Sequence, residues 1–254
     1  MSEPTSARER ALLRVATSGL SDGVHSLSPE ASHYVSRVHR LHVGDPLELF
    51  DPERGTHARA SIKAMQGRVV LCEVGQPYLG TKCGTPGLHL VQGLGKGDKP
   101  ERVLRDAVAL GAASVCFVTS HRSVVRKLTT AETKTERLMR VAVEAARQCG
   151  RSNVPELLVA IEWQKVYERY GSSFGLVLQP QSQAPTLEAA FGAVHPRPRE
   201  AVLYVGPEGG LDDGEVRQLR AHGAEPASLG DLVLRTELAA VVALARLGAL
   251  LSGS

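Results

Sequence analysis

The chain has 254 residues, of which 43% are hydrophobic and 4% aromatic, and its formal net charge is +3. These values are typical of a globular protein with one large domain or two modest ones. The longest apolar run, residues 238–251, is interrupted by Arg246 and is too short to span a bilayer, which excludes an ordinary transmembrane helix.

Cysteine usage and the first residues of the chain predict a reducing compartment. The four cysteines are far apart and form no C-x-x-C pair, which argues against a zinc site or a redox pair: Cys72, Cys83, Cys116 and Cys149. The opening MSEPTSARER is charged and lacks the apolar segment of a signal peptide. We therefore expect a cytoplasmic protein without a bound metal.

The charge is distributed unevenly along the chain. Residues 1–74 carry nine basic and nine acidic side chains, whereas residues 96–151 carry twelve basic and six acidic ones. A local basic field suits a polyanion such as RNA. A solvated surface of mixed charge explains the same pattern equally well.

The first part of the chain, residues 1–74, is predicted to be a small β-barrel with one helix. Short alternating apolar patterns predict strands at 45–50, 58–64 and 68–74. Ser28 is a suitable N-cap and Pro29 a suitable first helical residue. Apolar residues then recur at helical spacing: Ala31, Tyr34, Val35, Val38 and Leu41.

Residues 75–87, GQPYLGTKCGTPG, are rich in Gly, Pro and Thr, and we assign them as a linker. From residue 88 to residue 254, predicted strands and helices alternate. Strands are expected at 88–94, 114–120, 174–180, 201–207 and 226–230, with helices at 98–110 and 136–148, another after 212, and a last one at the C-terminus. The alternation predicts a parallel sheet covered on both faces.

Two helix starts carry capping signals. Asp98 and Glu101 have the spacing of a capping box, with Pro100 in the first turn, and Asp212 and Glu215 have the same spacing. We expect each pair to close the first turn of its helix.

Three turns follow apolar strands in this second part, and ligands bind at the carboxyl ends of parallel strands. They are Gln179-Pro180, the glycine-rich residues 206–210, and Leu229-Gly230-Asp231. The glycines allow a ligand to approach bare backbone. The turn 206–210 contains a glutamate and no lysine, and GLGKGDKP at 93–100 has neither the P-loop nor the dinucleotide-binding spacing. An adenine–ribose ligand without phosphate fits better than a nucleotide.

Four segments resemble one family: YVGPEGGLDDGEV, LGDLVLRTELAA, KGDKPERVLRDAVALGAASV and EAARQCGRSNVPEL. They are similar to those of the bacterial 16S ribosomal RNA uracil-N3 methyltransferases of the SPOUT superfamily. The resemblance extends from about residue 12 to the C-terminus. The GPEGG turn together with the L-R-T-E turn is the most specific part of it.

This resemblance implies a fold, a cofactor and a substrate. The fold would be a PUA-like barrel at 1–74 and, at 88–254, an α/β methyltransferase domain with a C-terminal trefoil knot. The cofactor would be S-adenosylmethionine, and the protein a homodimer. The substrate would be N3 of a uridine in 16S ribosomal RNA, presented by the small ribosomal subunit.

The resemblance also implies a set of cofactor-binding residues. The turn 206–210 would surround the cofactor, residues 229–235 would form the opposing wall, and residues 178–179 the third side. The expected residues are Leu178, Gln179, Gly206, Pro207, Glu208, Gly209, Gly210, Leu229, Gly230, Asp231, Leu234, Arg235 and Leu238.

The chemistry of uridine suggests roles for three of the charged residues. Uridine N3 is a poor nucleophile until it loses its proton, and a nearby cation favours the resulting anion. Arg235 is the candidate for that cation, while Glu208 or Glu237 would accept the proton or orient Arg235. Alternatively, Arg235 pairs with Glu237 or Asp231, and Glu208 only stabilises its own turn.

Candidate RNA-binding residues are basic or amide side chains in both parts of the chain: Arg14, Arg37, Arg40, Lys96, Lys99, Arg122, Arg147, Arg151 and Asn153. The alternative for Arg37 and Arg40 is a solvated helix face, and for the helix around Arg147 it is ion pairing along the helix.

Three positions depart from the family pattern. Asp231 stands where proline is expected, Leu238 where threonine is expected, and Gln179 where histidine is common. They leave open a change of RNA target, or a non-catalytic RNA-binding or ribosome-assembly protein with a degenerate pocket.

Overall fold

The computed structural model describes residues 12–81, 84–85, 87–123, 131–179 and 184–253. The chain divides into two compact units, Met1–Thr81 and Lys82–Ser254. Within the segment 75–87, Tyr78–Leu79 form a short strand that pairs with a strand of the first unit. Cys83, in the same segment, and Pro180, in the first expected ligand turn, lie outside the described residues.

The first unit contains one six-stranded sheet. Its strands are β1 (Leu13–Ala16), β2 (Gly23–Ser26), β3 (Pro46–Asp51), β4 (Thr56–Gln66), β5 (Val69–Val74) and β6 (Tyr78–Leu79). The order is β1-β3-β4-β5-β2, with β6 on β4. β1 pairs with β3 in parallel, and the other pairs are antiparallel. The patterns at 45–50, 58–64 and 68–74 therefore predicted strands correctly, whereas β1, β2 and β6 were not predicted.

The helix of this unit starts where the sequence indicates but changes geometry within two turns. The Ser28 hydroxyl accepts a hydrogen bond from the Ala31 amide at 3.1 Å, and α1 (Pro29–His33) continues as a π-helical turn, Tyr34–Val38. A π-helical turn is wider than an α-helical turn, so it shifts the side chains that follow around the axis. Val35 is buried, but Val38 is 58% exposed, so the apolar residues that recur at helical spacing do not all face the core.

The second unit is built on a six-stranded sheet that is parallel throughout. Its strands are β7 (Leu88–Gly93), β8 (Ser114–Val118), β9 (Glu156–Ile161), β10 (Phe174–Leu178), β11 (Ala201–Val205) and β12 (Ala224–Ala227), in the order β12-β10-β11-β7-β8-β9. The predicted mixed α/β fold with a parallel sheet is confirmed. β9 was not predicted, and β12 ends before residues 228–230, which we expected to be extended.

Six helices accompany this sheet among the described residues. They are α2 (Lys99–Ala109), α3 (Ala131–Cys149), α4 (Trp163–Tyr170), α5 (Leu187–Gly192), α6 (Asp213–Ala221) and α7 (Thr236–Ser252). Val166 of α4 and Leu219 of α6 pack against Val91, Val177 and Val202, which point to one face of the sheet. α7 packs on the other face, along β7 and β11. In the part of the chain that is described, no helix is both long and apolar enough to cross a membrane.

The two capping predictions had different outcomes. Asp212 and Glu215 form a complete capping box at the start of α6, as predicted. Asp98 does not cap α2, because its carboxylate accepts a hydrogen bond from the Arg102 guanidinium at 2.9 Å instead. The capping box at 98–101 was therefore a wrong prediction, since the sequence pattern does not account for a competing cation one turn later.

Candidate active site

The carboxyl ends of β10, β11 and β12 share one cavity. These strands are neighbours in the order β12-β10-β11, so the segments that follow them meet at one edge of the sheet. The cavity has a volume of about 890 Å³. Its lining includes eleven of the thirteen residues expected to bind the cofactor: Leu178, Gln179, Gly206, Pro207, Glu208, Gly209, Gly210, Leu229, Gly230, Leu234 and Arg235. Asp231 and Leu238, the other two, do not line it.

The glycine-rich turn after β11 can form only without side chains at two positions. A Cβ on Gly206 would lie 2.7 Å from the backbone of Gly210 and Leu211, and one on Gly93 would lie 2.4 Å from Pro207. Gly210 has a φ of +72°, which favours glycine. The turn therefore folds tightly against the end of β7 and presents bare backbone to the cavity.

A buried amide, which we did not predict, fixes this turn to two other elements. Gln92, at the end of β7, donates hydrogen bonds from Nε2 to the Gly206 carbonyl at 3.1 Å and to the Thr236 hydroxyl at 3.0 Å. Thr236 in turn donates to the Gly206 carbonyl. Gln92 thus connects β7, the glycine turn and the first residue of α7. Its Oε1 is buried and has no hydrogen-bond partner among the described residues.

Lys99 forms an ion pair with each of the two candidate glutamates. Its ammonium lies 2.9 Å from Glu208 Oε1 and 3.6 Å from Glu237 Oε2. Glu208 Oε1 also accepts a hydrogen bond from the Lys96 amide at 3.2 Å. We expected Glu208 or Glu237 to orient Arg235. In the structure both carboxylates face Lys99 instead. The distance to Glu237 is too long for a hydrogen bond, and Glu237 Oε2 is buried without one among the described residues.

The ion pair moves the pKa values of Lys99 and Glu208 apart. Its hydrogen bond to Glu208 raises the pKa of the Lys99 ammonium. Partial burial acts to raise the pKa of the Glu208 carboxyl, but the hydrogen bonds from Lys99 and the backbone outweigh it, so that this pKa is lowered. Both groups are therefore charged at neutral pH, and Glu208 is a poor proton acceptor.

Arg235 lies at the N-cap position of α7, is exposed, and lines the cavity. No carboxylate among the described residues lies within ion-pair distance of it, so the alternative pairings with Glu237 and Asp231 do not occur. A guanidinium is always protonated in proteins. Arg235 thus offers the cavity a cation whose hydrogen-bond donors are available to a ligand.

The opposite wall, residues 229–235, is held in place by hydrogen bonds from Ser228 and from Arg246. The Ser228 hydroxyl accepts from the Gly230 amide at 3.2 Å, and Gly230 has a φ of +130°. Arg246 of α7 donates to the Leu229 carbonyl at 3.1 Å and forms an ion pair with Glu188 of α5. This segment exposes two large apolar side chains, Leu232 at 81% and Val233 at 75%.

α6 supplies a wall of the cavity that we did not predict. Arg217 and Arg220 line the cavity and are exposed. Arg122, from the loop after β8, lines it too and donates to the Gly209 carbonyl at 3.2 Å. The i,i+3 spacing of Arg217 and Arg220 was visible in the sequence, but the element order that brings α6 to the cavity was not.

Three further titratable groups lie close together beside α6. The ligand atoms of His121, Asp212 and Glu215 are within 4.8 Å of one another. The Glu215 carboxylate already accepts hydrogen bonds from Ser120, Trp163 and two backbone amides. We interpret this cluster as a structural link between the loop after β8, α4 and the start of α6, because the acceptor capacity of Glu215 is occupied by protein donors.

The remaining RNA candidates differ in how accessible they are. Arg37, Arg40 and Lys96 are exposed. Arg147 pairs with Glu144 at i,i+3 within α3, whereas the alternative considered for this helix was a pair between Arg140 and Glu144 at i,i+4. Arg14 pairs with Glu48 at 2.8 Å and stacks over Phe50, and its side chain is largely buried.

Arg151 is the clearest correction among these candidates. It is 5% exposed and donates hydrogen bonds to the Val108 and Ala112 carbonyls and to the Asn153 side chain. A side chain buried in this way stabilises the end of α2 and is not available to RNA, and Asn153 is engaged with it.

Comparison with known proteins gives consistent results. Residues 84–248 match the family described as RNA methyltransferase domain. The chain is 29% identical to ribosomal RNA small subunit methyltransferase E of Bacillus subtilis (strain 168), over 86% of this chain and 87% of that protein. A Legionella pneumophila protein assigned as a methyltransferase, solved with its cofactor SAM, is 30% identical with a TM-score of 0.85, over 95% of this chain and 98% of that one. A Neisseria gonorrhoeae ribosomal RNA small subunit methyltransferase E bound to S-adenosylmethionine is 26% identical with a TM-score of 0.82, over 94% and 98%.

Proposed function

The chain belongs to the RNA methyltransferase domain family and is of the ribosomal RNA small subunit methyltransferase E type, and on this premise we propose that it methylates N3 of a uridine in 16S ribosomal RNA, with S-adenosylmethionine as cofactor. The observation that carries the proposal is the convergence of three segments, two of them containing glycine, on one cavity at the carboxyl ends of β10, β11 and β12. The solved relatives with S-adenosylmethionine bound support the choice of cofactor.

The residues of the cavity fit this cofactor. Its volume of about 890 Å³ lies within the usual range for small-molecule sites. The turn 206–210 offers backbone hydrogen-bonding groups, and Leu178, Leu229 and Leu234 offer apolar surface. Glu208 and Glu237 offer negative charge to a cationic ligand. When bound, the cofactor supplies an electrophilic methyl group, and it requires no phosphate-binding lysine.

The side chains of the cavity can favour the reactive form of uridine. Arg235 is a cation without an ion-pair partner among the described residues, and such a cation stabilises the anion that forms when N3 loses its proton. Glu237 lines the cavity, and it is less engaged than Glu208, whose Oε1 is held by both the Lys96 amide and Lys99. Glu208 keeps Lys99 in position. Holding uridine N3 and the methyl group of the cofactor in alignment lowers the activation barrier further.

The proposal includes the assembly and organisation implied by the resemblance. A homodimer is supported by Leu232, Val233 and Leu238, which expose apolar side chains close to the cavity. The PUA-like barrel at 1–74, the linker at 75–87 and a trefoil knot within 88–254 belong to the same proposal, as does a cytoplasmic location. The small ribosomal subunit would be the partner that presents the RNA.

Two measurements test this function. Calorimetry with S-adenosylmethionine should give saturable binding, and no binding would favour a non-catalytic RNA-binding protein. Mass spectrometry of ribosomal RNA from a strain that lacks the protein should show the loss of 3-methyluridine from 16S RNA, restored by the purified enzyme acting on small subunits. Loss of a different methylated nucleoside would instead identify another RNA target.

A further inference from the structure

α6 places two cations in the cavity that the proposed reaction does not use. Arg217 and Arg220 line the cavity and are exposed, and neither pairs with a carboxylate in the part of the chain that the structure describes. Leu219, between them, is 1% exposed and Val216 packs against the same apolar cluster. The helix is therefore anchored through one face, and its arginines project from the rest of its surface.

The charges around the cavity do not balance. Lys99 faces the two carboxylates of Glu208 and Glu237, a group with a net charge of −1, and the lining as a whole has a net charge of +2 from five basic and three acidic side chains. Among the other described residues of the lining, Arg122, Arg217, Arg220 and Arg235 are opposed by one carboxylate, that of Asp213. The single carboxylate of an amino-acid cofactor needs no more than one guanidinium, so the remaining positive charge suits a larger anion.

The spacing of the two α6 arginines matches a chain of phosphates better than a single small anion. Residues three apart on a helix are neighbours, with Cβ atoms about 5–6 Å apart. A guanidinium presents a planar set of donors that suits phosphate oxygens. Two such groups on one anchored helix can hold two anionic groups of the same strand.

We propose that Arg217 and Arg220 bind the phosphates of the RNA strand that flanks the target nucleotide. The inference rests on the proposed function and deepens it, since it assigns a substrate-binding surface to α6. Phosphate contacts fix the position and register of a strand without reading its sequence. These arginines would therefore present the target base to Arg235 and Glu237 rather than take part in the chemistry.

The test compares two double variants that remove the same charge. Arg217→Ala/Arg220→Ala removes the cavity pair, whereas Arg102→Ala/Arg105→Ala removes an exposed i,i+3 pair of α2 that does not line the cavity. Binding of a short oligouridylate is measured over a range of salt concentrations. The slope of log K against log salt should fall by about 1.4 in the α6 variant, since each phosphate contact of a single strand contributes roughly 0.7. It should be unchanged in the α2 variant.

Kinetic measurements on small ribosomal subunits complete the test. In the α6 variant we expect KM for the subunit to rise roughly tenfold while kcat stays within about twofold, because only binding is lost. The dissociation constant for S-adenosylmethionine should not change. An unchanged salt slope would overturn the inference, and so would a loss of cofactor affinity equal to the loss of RNA affinity. A wild-type protein that binds RNA but transfers no methyl group would contradict the proposed function alone, because the salt comparison would still decide the role of α6.

Discussion

Lys99 connects two carboxylates that would otherwise repel each other in the wall of the cavity. It pairs with Glu208 at 2.9 Å and with Glu237 at 3.6 Å. The pKa of Lys99 is raised above its ordinary value of 10.5 and that of Glu208 is lowered below 4.5. The pair therefore stays ionised from mildly acidic to mildly alkaline pH, and cofactor affinity should be nearly constant over that interval.

Lys99→Met should make cofactor binding dependent on pH. Without the ammonium, only backbone hydrogen bonds oppose the burial that raises the pKa of Glu208, so this carboxyl takes up a proton at a higher pH than in the wild type. Cofactor affinity should then fall as the pH is lowered towards about 5. Calorimetry at several pH values measures the effect, and Lys165→Met, an exposed lysine of α4, is the control. Equal pH profiles for Lys99→Met and the wild type would exclude this role.

Arg235 should act on the methyl transfer and not on cofactor binding. Removing one stabilising donor from a developing anion commonly lowers kcat by about 10²–10³-fold. We expect Arg235→Ala to show a loss of this size, while the dissociation constant for S-adenosylmethionine changes by less than about threefold. Methyl incorporation into small ribosomal subunits and calorimetry measure the two quantities. A variant that retains full kcat would remove Arg235 from the mechanism.

At the scale of elements, the glycine turn after β11 depends on close packing. A Cβ on Gly206 would lie 2.7 Å from backbone atoms of Gly210 and Leu211, which cannot move away without opening the turn. Gly206→Ala should therefore weaken cofactor binding at least about tenfold. Gly192→Ala, where a Cβ meets nothing within 4 Å, is the matched control and should bind normally. Equal cofactor affinities in the two variants would mean that cofactor binding does not depend on the observed shape of the turn.

Local signals predicted the elements that local contacts determine. β11, the glycines at 206–210 and the Asp212–Glu215 capping box are close together in the sequence. Each of these segments has a strong local preference for the structure that it adopts. The Asp98 prediction failed because Arg102, one turn later, takes the capping carboxylate. A pattern of residue types cannot decide which of two nearby donors such a carboxylate will bind.

Contacts between distant elements were beyond prediction from single segments. Gln92 can donate hydrogen bonds to Gly206 and Thr236 only because β7 lies next to β11 in the sheet. Arg151 is buried because the carbonyls of Val108 and Ala112, about forty residues earlier, accept its donors. Both contacts depend on the order of the strands in the sheet. The sequence pattern predicts that the sheet is parallel, but it does not specify which strands are neighbours.

At the scale of the whole molecule, the two ends of the parallel sheet have different roles, one in binding and the other in stability. The carboxyl ends of the strands carry the cavity, whereas the opposite end contains a buried polar network. There, His89 at the start of β7 shares a hydrogen bond of 2.7 Å with the Ser114 hydroxyl, which also meets the Tyr170 hydroxyl at 2.8 Å. This network connects β7, β8 and α4 far from the proposed chemistry, so its contribution should be to stability.

His89 should make the stability of the protein depend on pH. Burial lowers the pKa of its imidazole below 6.5, and this effect outweighs the nearby carboxylates of Glu200 and Glu156. The folded state therefore favours neutral His89, and this contribution to stability is present above about pH 6.5 and is lost as the pH falls towards the folded pKa. The melting temperature should decrease between about pH 7.5 and about pH 5.5. His89→Gln, which keeps a hydrogen-bonding side chain but does not titrate, should show a smaller decrease, whereas His195→Gln, at an exposed position of the same unit, should behave like the wild type. If all three proteins lose the same number of degrees on acidification, the pH dependence originates in other groups and not in the network around His89.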